Sequence, residues 1–97
     1  MIYIIDVTKE GTLLTGKQNG FGFAEEHLTK SYLPTCIDIR YGSGQLITSS
    51  FFYGVLVWLE QTFEFEGLGR YSLEKLVNLV NVDDRNNNEL HRAFDRL

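Results

Sequence analysis

The sequence predicts an α/β fold, a small, mixed and mostly parallel sheet of about four strands with three helices, in a single domain spanning residues 1–97. Two observations carry this. Short runs rich in β-branched and aromatic residues alternate with longer segments of helical spacing, in the order strand, helix, strand, helix, strand, helix. In addition, a hydroxyl triplet, Thr48-Ser49-Ser50, opens the nearly all-apolar run Phe51–Leu59, as a buried helix start requires.

Residues 2–7 (Ile-Tyr-Ile-Ile-Asp-Val) read as the first strand. Lys9-Glu10-Gly11 is a turn, and Thr12-Leu13-Leu14 returns as a second short strand. A helix is expected from about residue 18 to 31, with Phe21, Ala24, Leu28 and Tyr32 at helical spacing. Gly20 and Gly22 oppose it, each costing about 1 kcal/mol relative to Ala, and Asn19-Gly20 is also a good hairpin turn. Leu33-Pro34 marks its end. Thr35–Tyr41 alternates, with Ile37, Ile39 and Tyr41 on one face and Cys36, Asp38 and Arg40 on the other.

After the loop Gly42-Ser43-Gly44, Ser49 or Ser50 is expected to cap a helix running to about Phe63. Glu64–Tyr71 reads as a loop or strand and Leu76–Val82 as a buried strand. Asp83, Asp84 or Asn86 then starts the last helix. Asn86 with Glu89 has the spacing of a capping box, and Leu90, Phe94 and Leu97, with Ala93 beside them, form the inner stripe.

Composition narrows the function. Net charge is −4, and no cluster of Lys or Arg stands free of acids, which argues against nucleic-acid binding. Cys36 is the single cysteine, so no internal disulfide forms. The N-terminus does not read as a signal peptide, and the longest apolar run falls well short of the roughly 20 residues a membrane helix needs. A cytoplasmic protein is expected. His27 and His91 lack metal-ligand spacing, no hydrolase elbow or P-loop is present, and the glycines miss the dinucleotide-binding pattern. Neither enzymatic activity nor a cofactor is expected.

Thr48, Ser49 and Ser50 have two readings. They are a plain N-cap, or a modifiable site, because free amides and the helix dipole favour negative charge there. The carboxyl ends of the strands would bring Asp38, Tyr41, Ser43 and Thr48–Ser50 to one edge of the sheet. Tyr53, Val57 and Trp58 are candidates for an outward aromatic face, weighed against core packing.

The strand Ile37-Asp38-Ile39, a Gly-containing loop and the helix opening Ile47-Thr48-Ser49-Ser50-Phe51 together resemble a STAS-like domain, the fold of anti-sigma-factor antagonists. Small, mostly bacterial STAS-like proteins are the nearer likeness. Leu13-Leu14-Thr15 and Leu76-Val77-Asn78-Leu79 fit the same layout. Phe51 stands where antagonists usually carry Gly, and Tyr53-Gly54 where the nearer branch often has acids. The resemblance implies a partner-switching regulator in which Ser49 or Ser50 is phosphorylated by a GHKL-type ATPase acting as a serine kinase; separately, the apolar and aromatic residues of the second helix left over from the core are compatible with a homodimer. The competing expectation keeps the fold and drops the phosphate: a small phage or mobile-element inhibitor or adaptor that binds a bacterial protein through an acidic or aromatic surface.

Overall fold

A computed structural model describes residues 2–80 and 83–97. Its elements run β1 (Ile2–Asp6), β2 (Leu13–Leu14), α1 (Lys17–His27), β3 (Cys36–Arg40), β4 (Leu46–Ile47), α2 (Ser49–Thr62), α3 (Arg70–Leu76), β5 (Val77–Leu79) and α4 (Asp84–Asp95), with a short 3-10 turn at Glu64–Glu66 between α2 and α3. The α/β class and the parallel pairing agree with the sequence. The count does not: the described residues form four helices rather than three, and two parallel sheets, of three and two strands, rather than one mixed sheet.

The larger sheet has the order β1-β3-β5, with Ile2 opposite Cys36, Ile4 opposite Asp38, and Asp38 opposite Asn78. The smaller pairs Leu13 with Leu46 and Leu14 with Ile47. Alternation along the strands separates two faces. Ile5, Ile37, Ile39, Val77 and Leu79 face the core. The opposite face carries Ile2 and Ile4, 63% and 51% exposed. Parallel sheets usually bury both faces, so this one is unusual in leaving one open.

Alpha-helix 2 is the centre of the molecule. Eight of its residues, Phe51, Phe52, Gly54, Val55, Leu56, Val57, Trp58 and Leu59, are buried. It packs against α1 and against α4, which explains an apolar sequence nearly all round. Val57 and Trp58 therefore belong to the core and form no outward aromatic face; only Tyr53 among the three remains half-buried.

Helix α1 crosses α2 through two glycines. A Cβ on Gly20 would stand 1.9 Å from the Phe51 carbonyl oxygen, and one on Gly54 would stand 2.0 Å from that of Lys17. The absence of side chains at these points lets the two backbones touch. That close approach, and not a hairpin, is the use of Gly20. The helix stops at His27, short of residue 31: Leu28 is already extended, and the Thr29 hydroxyl accepts from the Ser31 N–H, a local turn that competes with helix. Tyr32 lies outside the helix and is exposed.

Further along, Arg70–Leu76 is helical, where Glu64–Tyr71 was expected as a loop or strand, Leu76 as the start of a strand, and residues 72–75 carried no expectation. Arg70 pairs with Glu74 at 2.7 Å, the Lys75 ammonium lies 4.3 Å from the Tyr71 ring centre, and Leu73 and Leu76 turn inward together. Strand β5 is correspondingly short, and the expected continuation to Asn81 and Val82 lies outside the described residues. In α4 the cap is Asp83, whose Oδ1 accepts from the Asn86 N–H at 2.8 Å. The Asn86–Glu89 capping box does not form, because Asn86 is inside the helix and buried, while Glu89 pairs with Arg92. Leu90, Ala93 and Phe94 are buried, and Leu97 packs against them from the rim. No helix among the described residues is long and apolar enough to cross a membrane.

Candidate functional site

The smaller sheet aims its two carboxyl ends at one spot. Strand β2 ends at Leu14 and β4 at Ile47, so Thr15 and Thr48 follow side by side. The Thr48 hydroxyl donates to the Thr15 hydroxyl oxygen at 3.3 Å, and its own oxygen accepts from the Phe51 N–H at 3.3 Å. Thr48 is thus the N-cap of α2, with an extended backbone at φ −81°, ψ 158°. The expectation that Ser49 or Ser50 caps this helix is corrected: both lie inside its first turn. Their hydroxyls are consequently released from capping.

Ser49 and Ser50 are both half-buried. The Ser49 hydroxyl makes no hydrogen bond with a described residue. Ser50 Oγ accepts from Arg96 Nη1 at 3.4 Å. The Arg96 guanidinium also lies over the Tyr53 ring, 4.4 Å from its centre, and the Lys17 ammonium approaches the same ring at 5.5 Å. The first turn of α2 carries no acid. Two cations, from α1 and from the end of α4, therefore meet at the Tyr53 ring, and one of them, Arg96, also reaches Ser50 in the first turn of α2. In a chain of net charge −4, this is a local reversal of sign.

Not all of the expected edge assembles. Tyr41 is 4% exposed and its phenol oxygen accepts from the Asp83 N–H at 3.1 Å, so it fastens the start of α4 and offers no contact surface. Burial, chiefly, pushes its hydroxyl pKa above the ordinary tyrosine value. Asp38 sits in the middle of β3, on the open face, and accepts from the Cys36 thiol at 3.1 Å. Asn78 donates to the same sulfur at 3.4 Å. The bond to Asp38, then burial, raise the Cys36 pKa and hold the thiol protonated. No hydrogen bond links Asp38 to Thr48–Ser50. Ser43 is exposed in the β3–β4 turn; that turn is held by Gln45, which accepts from the Gly42 N–H and donates to the carbonyls of Val7 and Gly11.

Sequence reasoning missed Arg96 as a neighbour of Ser50, Thr15 as a partner of Thr48, Lys17 as a neighbour of Tyr53, and Asn86 as a structural anchor. Nothing local signals Arg96, which reaches Ser50 from 46 residues away. Asn86 supplies its Oδ1 to the Ile47 N–H at 2.9 Å and its Nδ2 to the Gln45 carbonyl at 3.0 Å, fixing the strand that delivers the α2 start.

The lone histidines have ring neighbours: His27 stacks on Phe23 at 4.1 Å and His91 meets Phe94 edge-on at 6.3 Å. No group of three or more His, Cys, Asp or Glu among the described residues is placed to hold a metal ion. Comparison of the chain with known protein families, with characterised proteins and with solved structures gives no match.

Proposed function

We propose that this chain is a non-enzymatic regulatory domain that binds a protein partner, a STAS-like relative of anti-sigma-factor antagonists, and that phosphorylation of the α2 start switches the binding. One observation carries the reading: Ser49 and Ser50 lie in the acid-free first turn of α2 with the Arg96 guanidinium on Ser50, and the Lys17 ammonium approaches the Tyr53 ring that Arg96 also covers. Ser50 is the preferred acceptor. A phosphate there gains charge-assisted hydrogen bonds from Arg96 and is favoured by the helix dipole, so the domain keeps its fold. The added charge of about −1.5 to −2 changes the surface that a partner meets. The parallel α/β architecture suits a STAS-like domain without being specific to it, and the family resemblance of the sequence makes a GHKL-type ATPase with serine kinase activity the proposed partner class.

The test is intact-mass spectrometry of the chain recovered from its native cell and after incubation with a GHKL-type serine kinase and ATP. A single phosphate on Ser50, absent from Ser50→Ala, is the expected result, with partner binding differing between the two forms. A chain never phosphorylated under either condition, or a Ser49→Ala/Ser50→Ala variant whose partner binding is regulated as in the parent, overturns the proposal.

The inhibitor or adaptor reading draws on a different surface. Phe65 is 96% exposed at the turn after α2 and Tyr71 is 70% exposed on α3. Such aromatic side chains suit a partner contact. Loss of partner binding in Phe65→Ser with unchanged binding in Ser50→Ala would favour it.

A further inference from the structure

We infer that the groove between β2 and α1 is a docking site for an extended, basic segment of another protein, which adds to the free edge of β2 and lays an apolar side chain against Leu13 and Phe23. This goes beyond the regulatory reading above and holds whether or not Ser50 carries a phosphate.

The groove encloses about 500 Å³. Its walls come from β2, α1 and the first turn of α2, and no residue of β4 lines it. Its apolar part is the exposed Leu13, at 55%, and the half-buried Phe23, above the buried Phe51, whose ring centre stands 5.8 Å from that of Phe23. Glu10 enters from the β1–β2 connection and Glu26 from the last turn of α1. Neither carboxylate is ion-paired to a described residue, and no Lys or Arg lines the groove. Unpaired acid beside exposed apolar surface calls for a partner that is cationic and apolar in alternation; it disfavours an acidic peptide or a nucleic acid.

Two features make the partner a strand. β2 is paired on one side alone, to β4. The carbonyls of Thr12 and Leu14 accept from Leu46 and Thr48 of that partner strand. The intervening residue, Leu13, therefore directs its N–H and C=O to the opposite edge, where a peptide backbone can bond them. The second feature is Gly22. It lies inside α1, and a Cβ there would have nothing within 4 Å. Packing does not require a glycine at this position, and one costs about 1 kcal/mol relative to Ala in a helix. A bare backbone on the groove wall leaves room for another chain to approach closely.

The experiment pans a random-peptide display library against the full chain, then titrates the enriched synthetic peptides. The expected consensus alternates apolar residues with Lys or Arg. Binding should fall roughly tenfold or more in Gly22→Leu, which fills the centre of the contact, and several-fold in Glu10→Gln/Glu26→Gln. Backbone amide shifts in the unaltered chain should change at Leu13 and Gly22, a readout independent of how either variant folds. The inference is overturned if no peptide is enriched, if the enriched peptides lack basic residues, if Gly22→Leu binds them equally, or if the shifts cluster away from the groove.

Discussion

The chain uses one local plan twice. β1, β2 and α1 form a first strand–strand–helix unit, and β3, β4 and α2 form a second. Matching strands of the two units pair in parallel, Ile2 with Cys36 and Leu13 with Leu46. Matching helices cross at a glycine from each, Gly20 and Gly54. Yet two residues of α1 are buried against eight of α2. The first helix starts on Gly16, at φ 96° and without a side-chain cap; the second starts on the capping hydroxyl of Thr48. Position in the assembly makes the difference. The second unit is flanked on both sides, β3 by β1 and β5, α2 by α1 and α4. The first has one neighbour and keeps an open strand edge. The same backbone plan thus yields a structural centre and an available surface.

The comparison breaks most readily where the units touch. Gly20→Ala and Gly54→Ala each force a Cβ onto a backbone carbonyl of the other helix, which cannot swing aside as a side chain would. Each should lower stability by about 3 kcal/mol or more, read as a fall in the urea midpoint. A small domain with roughly 5–15 kcal/mol of total stability would be close to unfolding in the double variant.

Asn86→Ala tests the anchor that the second unit alone possesses. It removes the partners of the Ile47 N–H and Gln45 carbonyl, and a loss of about 2 kcal/mol is expected, measured in the same way. Thr48→Ala should cost about 1 kcal/mol by uncapping α2, whereas Ser49→Ala should stay within roughly 0.5 kcal/mol. A larger loss for Ser49 than for Thr48 would reassign the cap and weaken the case for a free serine. On the first unit, Gly22→Ala should raise stability by about 0.8 kcal/mol, since its Cβ meets open space. The opposite signs for Gly20 and Gly22, two positions apart on one helix, separate a glycine that packing requires from one that it does not.

The elements that read correctly from sequence are those whose pattern is local. β3 alternates cleanly, Ile37 and Ile39 facing the core between Cys36, Asp38 and Arg40, and the apolar run after Thr48 has the length of a buried helix. What failed to read was set by distant partners or by short helices. Ser49 and Ser50 are as good capping residues as Thr48; the register of β4 against β2 decides that Thr48 takes the cap. Asn86 has the spacing of a capping residue, but the backbone of β4 recruits its side chain. Arg70–Leu76 carries helical pairs, Arg70–Glu74 and Leu73–Leu76, yet seven residues ending in a strand give a weak period. The candidate site was half legible: its hydroxyls stand together in the chain, and its cations come from two other helices.

The smallest expected effect concerns the open face of the larger sheet, where the second unit places Cys36 beside Asp38 and Asn78. The folded thiol loses its proton less readily than a free one, because it donates to the Asp38 carboxylate and is partly buried. A group with a raised folded-state pKa stabilises the fold below its unfolded pKa, and that contribution disappears as pH rises through the folded value. Stability should therefore decline on the alkaline side, across and above the range where free thiols ionise. Cys36→Ser should flatten part of that decline, and Tyr41→Phe should flatten the part at higher pH, since Tyr41 is raised in the same sense by burial. Alkylation by iodoacetamide gives the direct readout. Cys36 in the folded chain should react more slowly than in urea, and Asp38→Asn should speed the folded reaction by removing the carboxylate that retains the proton. Equal rates in Asp38→Asn and the parent chain would show that the bond to the Asp38 carboxylate does not protect the thiol.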